Sequence, residues 1–273
     1  MLKVCVAGIT GWTGRSVALA VAKSTEFDLA AGVSKNSAGI DIGTVLGLEP
    51  KGVEVAPNVA KALESSVDVL IDYTHPTVVK NNVMTALEKG VAVVIGTSGL
   101  TEEDFKDIQR QAEEYELGVI AAGNFSLTAA LAKRFALIAA RYLPQWEIID
   151  YCQENKVDAP SGTTRELAEQ IAAIRKSEVV VPIDDVIGAK EARGADVVGS
   201  RIHSVRLPGF VSSFETIFGM PNERLSIRHD SGSGAEPYVD GTLLAAKKVG
   251  EVRGLVRGLD RLLFGDFVHL DTG

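Results

Sequence analysis

Short apolar runs alternate with longer amphipathic segments over the first 122 residues. The apolar runs are rich in β-branched residues and cover positions 3–7, 29–33, 67–71, 91–95 and 119–121. Apolar residues recur at helical intervals in the segments at 14–24, 59–65, 77–89 and 102–115. Strands that alternate with helices predict a doubly wound α/β fold, a parallel sheet with helices on both faces.

The pattern changes after residue 126. A long helix is predicted over 127–142, followed by strand-like runs at 147–153, 202–206, 214–218 and 225–229, with one helix at 164–174. The stretch 175–200 has no clear period and is interpreted as a long excursion or lid, and helical periodicity returns over 239–263. We therefore expect one domain from 1–126 with 239–273, and a second α+β domain with an open mixed sheet over 127–238.

Composition limits the partners and the location. Of the 273 residues, 46% are hydrophobic and 23% charged, as in folded globular proteins, and the net charge is −8. No run of basic residues exceeds two, so neither nucleic acid nor a membrane is an expected partner. The two cysteines, Cys5 and Cys152, form no disulfide framework or zinc motif, and no targeting segment is visible, so a reducing, cytoplasmic location and no metal site are expected.

Three glycines follow the first predicted strand and open the first helix. Gly8, Gly11 and Gly14 enclose Trp12 and Thr13 in a G-x-x-G-x-x-G spacing. Such a turn lets the backbone approach a diphosphate, which the helix N-terminus then binds through free N–H groups. Three glycines alone can be merely structural, but this position in a first β-α-β unit predicts a Rossmann-type dinucleotide site.

The residues after the second strand bear on which dinucleotide is preferred. Sites that prefer NAD usually place a carboxylate there to bind the ribose 2′-hydroxyl, whereas this chain has Ser34 and Lys35. A hydroxyl and an ammonium can donate to a 2′-phosphate, so NADPH is the predicted cofactor. If Lys35 is only a surface lysine, NADH should serve equally well.

Three segments follow the third, fourth and fifth strands, where doubly wound sheets place ligand contacts. They are expected to line the nicotinamide half of the cofactor through Tyr73, Thr74, Gly96, Thr97, Ser98, Gly123, Asn124 and Phe125. Thr97 is also a candidate substrate contact. Asp72 could instead be a helix N-cap or a turn former, and Phe125 a core aromatic.

A hydroxyl-rich turn, Ser161-Gly162-Thr163, precedes a predicted helix in the second domain. Its hydroxyl and N–H groups could bind a substrate carboxylate, although Ser161 or Thr163 could simply cap the helix. Lys156 could supply positive charge to the same anionic substrate or act as a proton donor.

Six ordered motifs together resemble the dihydrodipicolinate reductase family. After the glycine turn come Asp-Tyr-Thr-His-Pro at 72–76, Gly-Thr-Ser-Gly at 96–99 and Gly-Asn-Phe-Ser at 123–126, then Lys-Val-Asp-Ala-Pro-Ser-Gly-Thr at 156–163 and His-Ser-Val-Arg-Leu-Pro-Gly at 203–209. The resemblance implies reduction of 4-hydroxy-tetrahydrodipicolinate in lysine biosynthesis, with Arg206 and the 156–163 motif holding carboxylates and domain closure excluding water. It also implies a homotetramer assembled through the second-domain sheets.

The chain departs from the family at four positions around the implied substrate cleft. Cys152 and Gln153 replace a usual pair of histidines, Ser213 replaces another histidine, and Gly234 replaces an arginine. A protonated thiol could donate a proton, but a small buried residue is the favoured interpretation of Cys152. Gln153 can still hydrogen-bond a carboxylate. Lys156 is therefore the preferred proton-delivering residue, with Cys152 as a second candidate.

Three functions remain open on sequence grounds. The first is the activity that the resemblance implies. The second is a paralogous reductase of a different cyclic imine or keto acid, and the third is a non-catalytic NADPH-binding homologue. The four histidines, His75, His203, His229 and His269, are each expected to be structural.

Overall fold

A computed structural model describes residues 1–265; His269 and the end of the predicted first domain lie outside the described residues. The strands are, in chain order, β1 Leu2–Ala7, β2 Phe27–Val33, β3 Val69–Asp72, β4 Ala92–Ile95, β5 Gly118–Ala121, β6 Gln145–Cys152, β7 Ala195–Val197, β8 Ser200–Arg206, β9 Ser212–Met220, β10 Glu223–His229 and β11 Gly254–Arg257. The helices are α1 Trp12–Lys23, α2 Ile42–Leu46, α3 Val59–Ala62, α4 Pro76–Glu88, α5 Glu102–Glu114, α6 Leu127–Tyr142, α7 Gly162–Ala172, α8 Val239–Lys248 and α9 Leu259–Phe264. Within this range every helix is too short or too polar to cross a membrane.

The chain divides into two units. The first contains Met1–Leu127 and the described residues from Ala235 to Gly265, and the second contains Thr128–Gly234. Each has a sheet of its own.

The first unit carries a six-stranded parallel sheet in the order β11-β5-β4-β3-β1-β2. β3, β4 and β5 are buried at every residue, as expected of strands covered on both faces. The register pairs Ala7 with Asp72, Asp72 with Ile95, and Ile95 with Ala121. The carboxyl ends of four strands therefore lie in one row, and the turns that follow them share one edge of the sheet. The predicted doubly wound fold is confirmed.

One element of this unit differs from the prediction. The helical periodicity predicted over 239–263 is interrupted by β11, which pairs with β5 as the sixth strand. Gly254 is the first residue of β11 and has a φ of +79°. A Cβ there would lie 2.9 Å from Nε2 of Gln109. Pairing with β5 thus overrides a local pattern that carries no strand signal.

The second unit carries a mixed sheet in the order β10-β9-β6-β8-β7, in which only β6 and β8 run parallel. Burial alternates strictly along β6, so Trp146, Ile148, Asp150 and Cys152 face the interior. The predicted open mixed sheet is confirmed. The unassigned stretch 175–200 contains two short 3₁₀ turns and β7.

Candidate functional site

Two of the three glycines that open α1 are required by close packing. Gly8 ends β1 with a φ of +82°, and a Cβ there would overlap the carbonyl group of Tyr73. A Cβ on Gly14 would overlap the carbonyl oxygen of Gly8. Gly11 is the N-cap of α1 and has no side chain to satisfy the first turn, so the N–H groups of Trp12 and Thr13 are available to an anion.

Ser34 lies beside this glycine turn, and Lys35 follows it in the chain. The Ser34 hydroxyl is 3.1 Å from the hydroxyl of Thr10, which belongs to the turn itself. Lys35 begins a 3₁₀ turn over Lys35–Ser37 and is exposed. A hydroxyl and an ammonium thus stand at the carboxyl end of β2, and no carboxylate occupies either position.

A buried carboxylate organises the turns after β3 and β4. Asp72 is fully buried, and its Oδ1 accepts hydrogen bonds from the Thr97 hydroxyl at 2.6 Å and the Thr74 hydroxyl at 2.7 Å. Its Oδ2 accepts from the Asn82 amide at 2.8 Å. Asp72 does not cap α4, because His75 is the N-cap and accepts from the Thr77 N–H. The other alternative, that Asp72 forms a turn, agrees with the hydrogen bond that its Oδ1 accepts from the Thr74 N–H at 3.0 Å. Asp72 brings Thr74 and Thr97 together.

The aromatic side chains predicted near the nicotinamide, Tyr73 and Phe125, pack against other residues of the first unit. The Tyr73 ring covers Gly96, and its hydroxyl lies 2.7 Å from that of Thr242. Phe125 is 1% exposed and meets the Tyr73 ring edge-on. The ring of Phe125 is therefore closed to a ligand, whereas Tyr73 is half-buried. Gly123, next in the row, has no atom within 4 Å of the place of a Cβ.

The remaining predicted residues of the row are more open. Ser98 is exposed, and the Asn124 side chain accepts a hydrogen bond from the Ser126 N–H at 2.8 Å. Trp12 is 58% exposed and meets the Tyr238 ring edge-on, with 5.8 Å between centroids. An exposed indole in the glycine turn is available to contact a bound ligand.

In the second unit, the predicted hydroxyl-rich turn is the N-terminus of α7. Ser161 is its N-cap and accepts from the Thr164 N–H. Gly162 is exposed and Thr163 half-buried. Both the capping function and the turn geometry that the sequence predicts are therefore present at Ser161.

Asp150 lies directly behind this turn and was not predicted from the sequence. Its fully buried carboxylate accepts from the N–H of Ser161 at 2.8 Å, from the hydroxyl of Ser161 at 2.6 Å and from Arg206 Nη2 at 2.8 Å. Burial raises the pKa of this carboxyl, but the hydrogen bonds from Ser161 and Arg206 outweigh it and hold the pKa below its usual value. Asp150 is ionised at neutral pH.

Lys156 and Arg206 join the same network. Lys156 Nζ is 2.7 Å from Asp158 Oδ1, and this contact lowers the pKa of the Asp158 carboxyl. Arg206 Nη2 donates to the Asp158 carbonyl oxygen at 2.7 Å as well as to Asp150. Arg206, predicted to hold a substrate carboxylate, thus donates both hydrogen bonds from Nη2 to oxygens of the protein itself.

The departures from the family pattern differ in exposure. Cys152 is fully buried, its thiol lies 3.7 Å from Asp150 Oδ1, and burial raises the pKa of the thiol. Gln153 is exposed. Ser213 is 4% exposed and accepts a hydrogen bond from the Ser231 N–H at 3.3 Å. Of the two predicted catalytic residues, only Lys156, 32% exposed at its side chain, is open to solvent.

The histidines and possible metal ligands of the described residues form no cluster. His203 Nε2 is hydrogen-bonded to Glu147 Oε2 at 2.7 Å, and His75 is the N-cap of α4. Across residues 1–265, no group of three His, Cys, Asp or Glu side chains is arranged to hold a metal ion.

Comparison with known families gives two adjoining matches. Residues 2–125 match the family described as "Dihydrodipicolinate reductase, N-terminus", and residues 125–263 match "Dihydrodipicolinate reductase, C-terminus". The chain is 38% identical over 264 residues to the 4-hydroxy-tetrahydrodipicolinate reductase of Desulfitobacterium hafniense, covering 96% of this chain and 98% of that one. It is 39% identical over 264 residues to the enzyme of the same name from Halalkalibacterium halodurans, covering 96% and 100%.

Solved structures give the same picture. A dipicolinate-bound dihydrodipicolinate reductase from Paenisporosarcina sp. TG-14 is 33% identical, with a TM-score of 0.83, covering 96% of this chain and 99% of that one. An amine dehydrogenase from Mycobacterium smegmatis shares the fold, with a TM-score of 0.67 at 14% identity over 95% of each chain.

Proposed function

The chain belongs to the dihydrodipicolinate reductase family, and on this premise we propose that it reduces 4-hydroxy-tetrahydrodipicolinate with NADPH in the diaminopimelate route to lysine. As a member of this family it is an oxidoreductase that uses a nicotinamide dinucleotide. The identity of the substrate and the preference for the 2′-phosphorylated cofactor are the proposed parts. The same premise predicts a cytoplasmic homotetramer assembled through the sheet of the second unit.

The first unit has the features that a dinucleotide requires. Gly8 and Gly14 hold the turn tight, and the N-terminus of α1 offers N–H donors where no side chain caps them. Ser34 and Lys35 would donate to a 2′-phosphate. The bound cofactor supplies a hydride. The proposed role of this chain's Thr74, Thr97, Ser98, Gly123 and Asn124 is to orient the nicotinamide half.

The second unit supplies the binding groups for an anionic substrate. The N–H groups of Gly162 and Thr163 and the Thr163 hydroxyl are proposed to bind a carboxylate, with Gln153 as a further hydrogen-bonding contact. Reduction of a C=N or C=C bond also needs a proton, and Lys156 is the proposed donor because it is the accessible cation of this network.

One observation carries the proposal. The most specific motif, residues 156–163, carries the two N–H groups that the cap of α7 leaves free and an accessible ammonium, and one hydrogen-bonded network connects them. This combination of donors fits a small dicarboxylate, and a cofactor-binding protein without a substrate would have no need of it.

An absorbance assay at the NADPH band tests the activity. Purified protein is given NADPH and the product of dihydrodipicolinate synthase, prepared immediately before use. We expect consumption of NADPH that depends on both the protein and the synthase product, with a higher kcat/KM for NADPH than for NADH. Absence of turnover with both cofactors would refute the proposed activity, and a tenfold preference for NADH would refute the assignment of Ser34 and Lys35.

A second candidate rests on the buried position of Cys152. The thiol of Cys152 is fully buried, so this position does not offer a substrate the proton donor that the family's histidine implies. Reduction of a different cyclic imine or keto acid is the alternative that this favours. A panel of such substrates in the same assay separates the two, because the highest kcat/KM identifies the better substrate class.

A further inference from the structure

The carboxylate of Asp150 is the centre of the hydrogen bonds behind the α7 turn. Besides Ser161 and Arg206, it accepts from the Thr164 hydroxyl at 3.0 Å and the Ser204 hydroxyl at 3.2 Å. These partners come from α7, its N-cap and β8, whereas Asp150 itself is on β6. One buried side chain therefore connects the turn to its own strand, β6, and to the neighbouring strand, β8.

These bonds decide which donors of the turn remain for a ligand. Ser161 gives both its N–H and its hydroxyl hydrogen to Asp150, while its hydroxyl oxygen caps the Thr164 N–H. Ser161 thus has no further hydrogen to offer. Gly162 and Thr163, the next two residues, are left with N–H groups that the helix itself does not use.

Charge is compensated at the same place. An isolated carboxylate behind an anion-binding turn would repel the ligand, but Arg206 contacts Asp150 at 2.8 Å. The same guanidinium reaches the Asp158 carbonyl, and Asp158 pairs with Lys156. The ion pair therefore links the orientation of the turn to the loop that carries the proposed proton donor.

From these contacts we infer that Asp150 is a positioning residue for substrate binding: it fixes Ser161 so that the N–H groups of Gly162 and Thr163 face the substrate carboxylate. The inference rests on the proposed function, since it concerns the same anion-binding turn. Asp150 itself touches no substrate. Its effect is to keep the donors in place before the ligand arrives, which lowers the ordering cost of binding.

Two substitutions remove parts of this arrangement. Asp150→Asn keeps the shape of the side chain but replaces one acceptor oxygen by an NH₂ group, which cannot accept. Five N–H and O–H hydrogen-bond donors converge on this carboxylate in the unmodified protein. Thr164→Val removes a single hydroxyl without changing the side-chain volume much. Thr164→Ser restores the hydroxyl and should recover binding.

A matched control is available on the neighbouring strand. Thr216 of β9 is also fully buried, and its hydroxyl has no hydrogen-bond partner among the described residues. Thr216→Val is therefore the same chemical change at a hydroxyl that forms no hydrogen bond with Asp150 or the turn. It should leave ligand binding as in the unmodified protein.

The test uses dipicolinate, a planar dicarboxylate, as the probe in calorimetry on the full chain, and NADPH binding as the internal reference. We expect the Kd for dipicolinate to rise roughly tenfold or more in Asp150→Asn and several-fold in Thr164→Val. The Kd for NADPH should not change in either variant. In turnover, KM for the substrate should rise while KM for NADPH stays constant.

Unchanged dipicolinate affinity in Asp150→Asn and Thr164→Val would overturn the inference while leaving the proposed function intact. If Asp150→Asn does not fold, Thr164→Val and its rescue by Thr164→Ser decide the matter. An unmodified protein that binds NADPH but no dipicolinate would refute the proposed substrate class, and the role of Asp150 with it.

Discussion

Glycines in this chain serve two different purposes at the level of single residues. Gly8 and Gly14 are required by the fold, because a Cβ on either would overlap a backbone carbonyl. Gly162 is different: it begins α7, and a Cβ there would have no atom within 4 Å. The protein's own packing gives no reason for a glycine at this position, whereas close approach of a ligand to the backbone does.

Gly162→Ala should therefore separate stability from binding. Alanine favours a helix more than glycine does, so the free energy of unfolding should stay the same or rise by about 0.4–1 kcal/mol. The new methyl group should obstruct the proposed carboxylate, weakening dipicolinate binding roughly tenfold. Calorimetry and urea unfolding measure the two quantities. Gly219→Ala, at a similarly open position on β9, is the control. Equal dipicolinate affinity in both variants would show that the substrate does not approach Gly162.

Lys156 is the residue on which the proposed proton transfer depends. Removal of a general acid typically lowers turnover by about 10²–10⁴-fold, so Lys156→Ala should lose kcat on that scale while KM for NADPH stays constant. Lys190→Ala provides a control in the same unit, since Lys190 also contacts an aspartate, Asp184, at 3.4 Å. Near-normal kcat in Lys156→Ala would remove this residue from the mechanism.

Single residues also show where sequence interpretation reaches its limit. The motif at 203–209 predicted a ligand-binding arginine, yet Arg206 contacts Asp150, which lies 56 positions earlier in the chain. An arginine directed at a ligand and one paired with a buried aspartate look the same in sequence. The usable sign was on β6, where Asp150 occupies an inward position between Ile148 and Cys152 in a strictly alternating strand. A buried acid needs partners, and the hydroxyl-rich turn supplies them.

At the scale of elements, burial determined what the sequence could predict. β3, β4 and β5 are continuous buried runs, and each was located within two residues at either end. β11 is a four-residue edge strand with two half-buried positions, and it exists as a strand because β5 offers it a partner. Such an element depends on a neighbour more than 130 positions away, and its own four residues carry too little information.

The start of α5 predicts a dependence of stability on pH. Thr101 and Asp104 form a capping box, and Lys80 of α4 lies 2.8 Å from Asp104 Oδ1. The contact with Lys80, assisted by Thr101, lowers the pKa of Asp104 to about 2 from an ordinary value of 3.8. The folded protein thus binds this proton more weakly than the unfolded chain, so the contribution of Asp104 is present above pH 3.8 and is lost as the pH falls towards about 2.

Unfolding curves between pH 2 and pH 7 measure this contribution, which partial exposure keeps small. Asp104→Asn should lower the midpoint of thermal unfolding at pH 7. The difference in midpoint between the variant and the unmodified protein should become smaller as the pH falls towards 2. The exposed residue Asp185 provides a control, since Asp185→Asn removes the same charge from the other unit. A constant difference between Asp104→Asn and the unmodified protein across this range would contradict the assignment.

At the scale of the whole molecule, both units use the same device. Each places a fully buried aspartate at or near the carboxyl end of a strand, Asp72 on β3 and Asp150 on β6. Each aspartate accepts from the hydroxyl groups of the turns around it, Thr74 and Thr97 in the first unit and Ser161 and Thr164 in the second. The sequence located these turns from their motifs. It did not reveal what fixes them, because the bonds join segments that are far apart in the chain.

Cofactor and substrate are proposed to bind different units, so each should slow amide hydrogen exchange in a different set of peptides. NADPH should slow exchange in peptides that cover residues 8–15 and 34–37, where the glycine turn and Ser34 are proposed to bind it. Dipicolinate should slow exchange around 156–164, because the N–H groups of Gly162 and Thr163 become hydrogen-bonded. β10, which carries no proposed contact, is the internal reference for both ligands. If NADPH protected the α7 turn while leaving the glycine turn unchanged, the assignment of the two ligands to the two units would be reversed. If each ligand protects its own turn, the motif-based division between cofactor and substrate holds independently of any measurement of turnover.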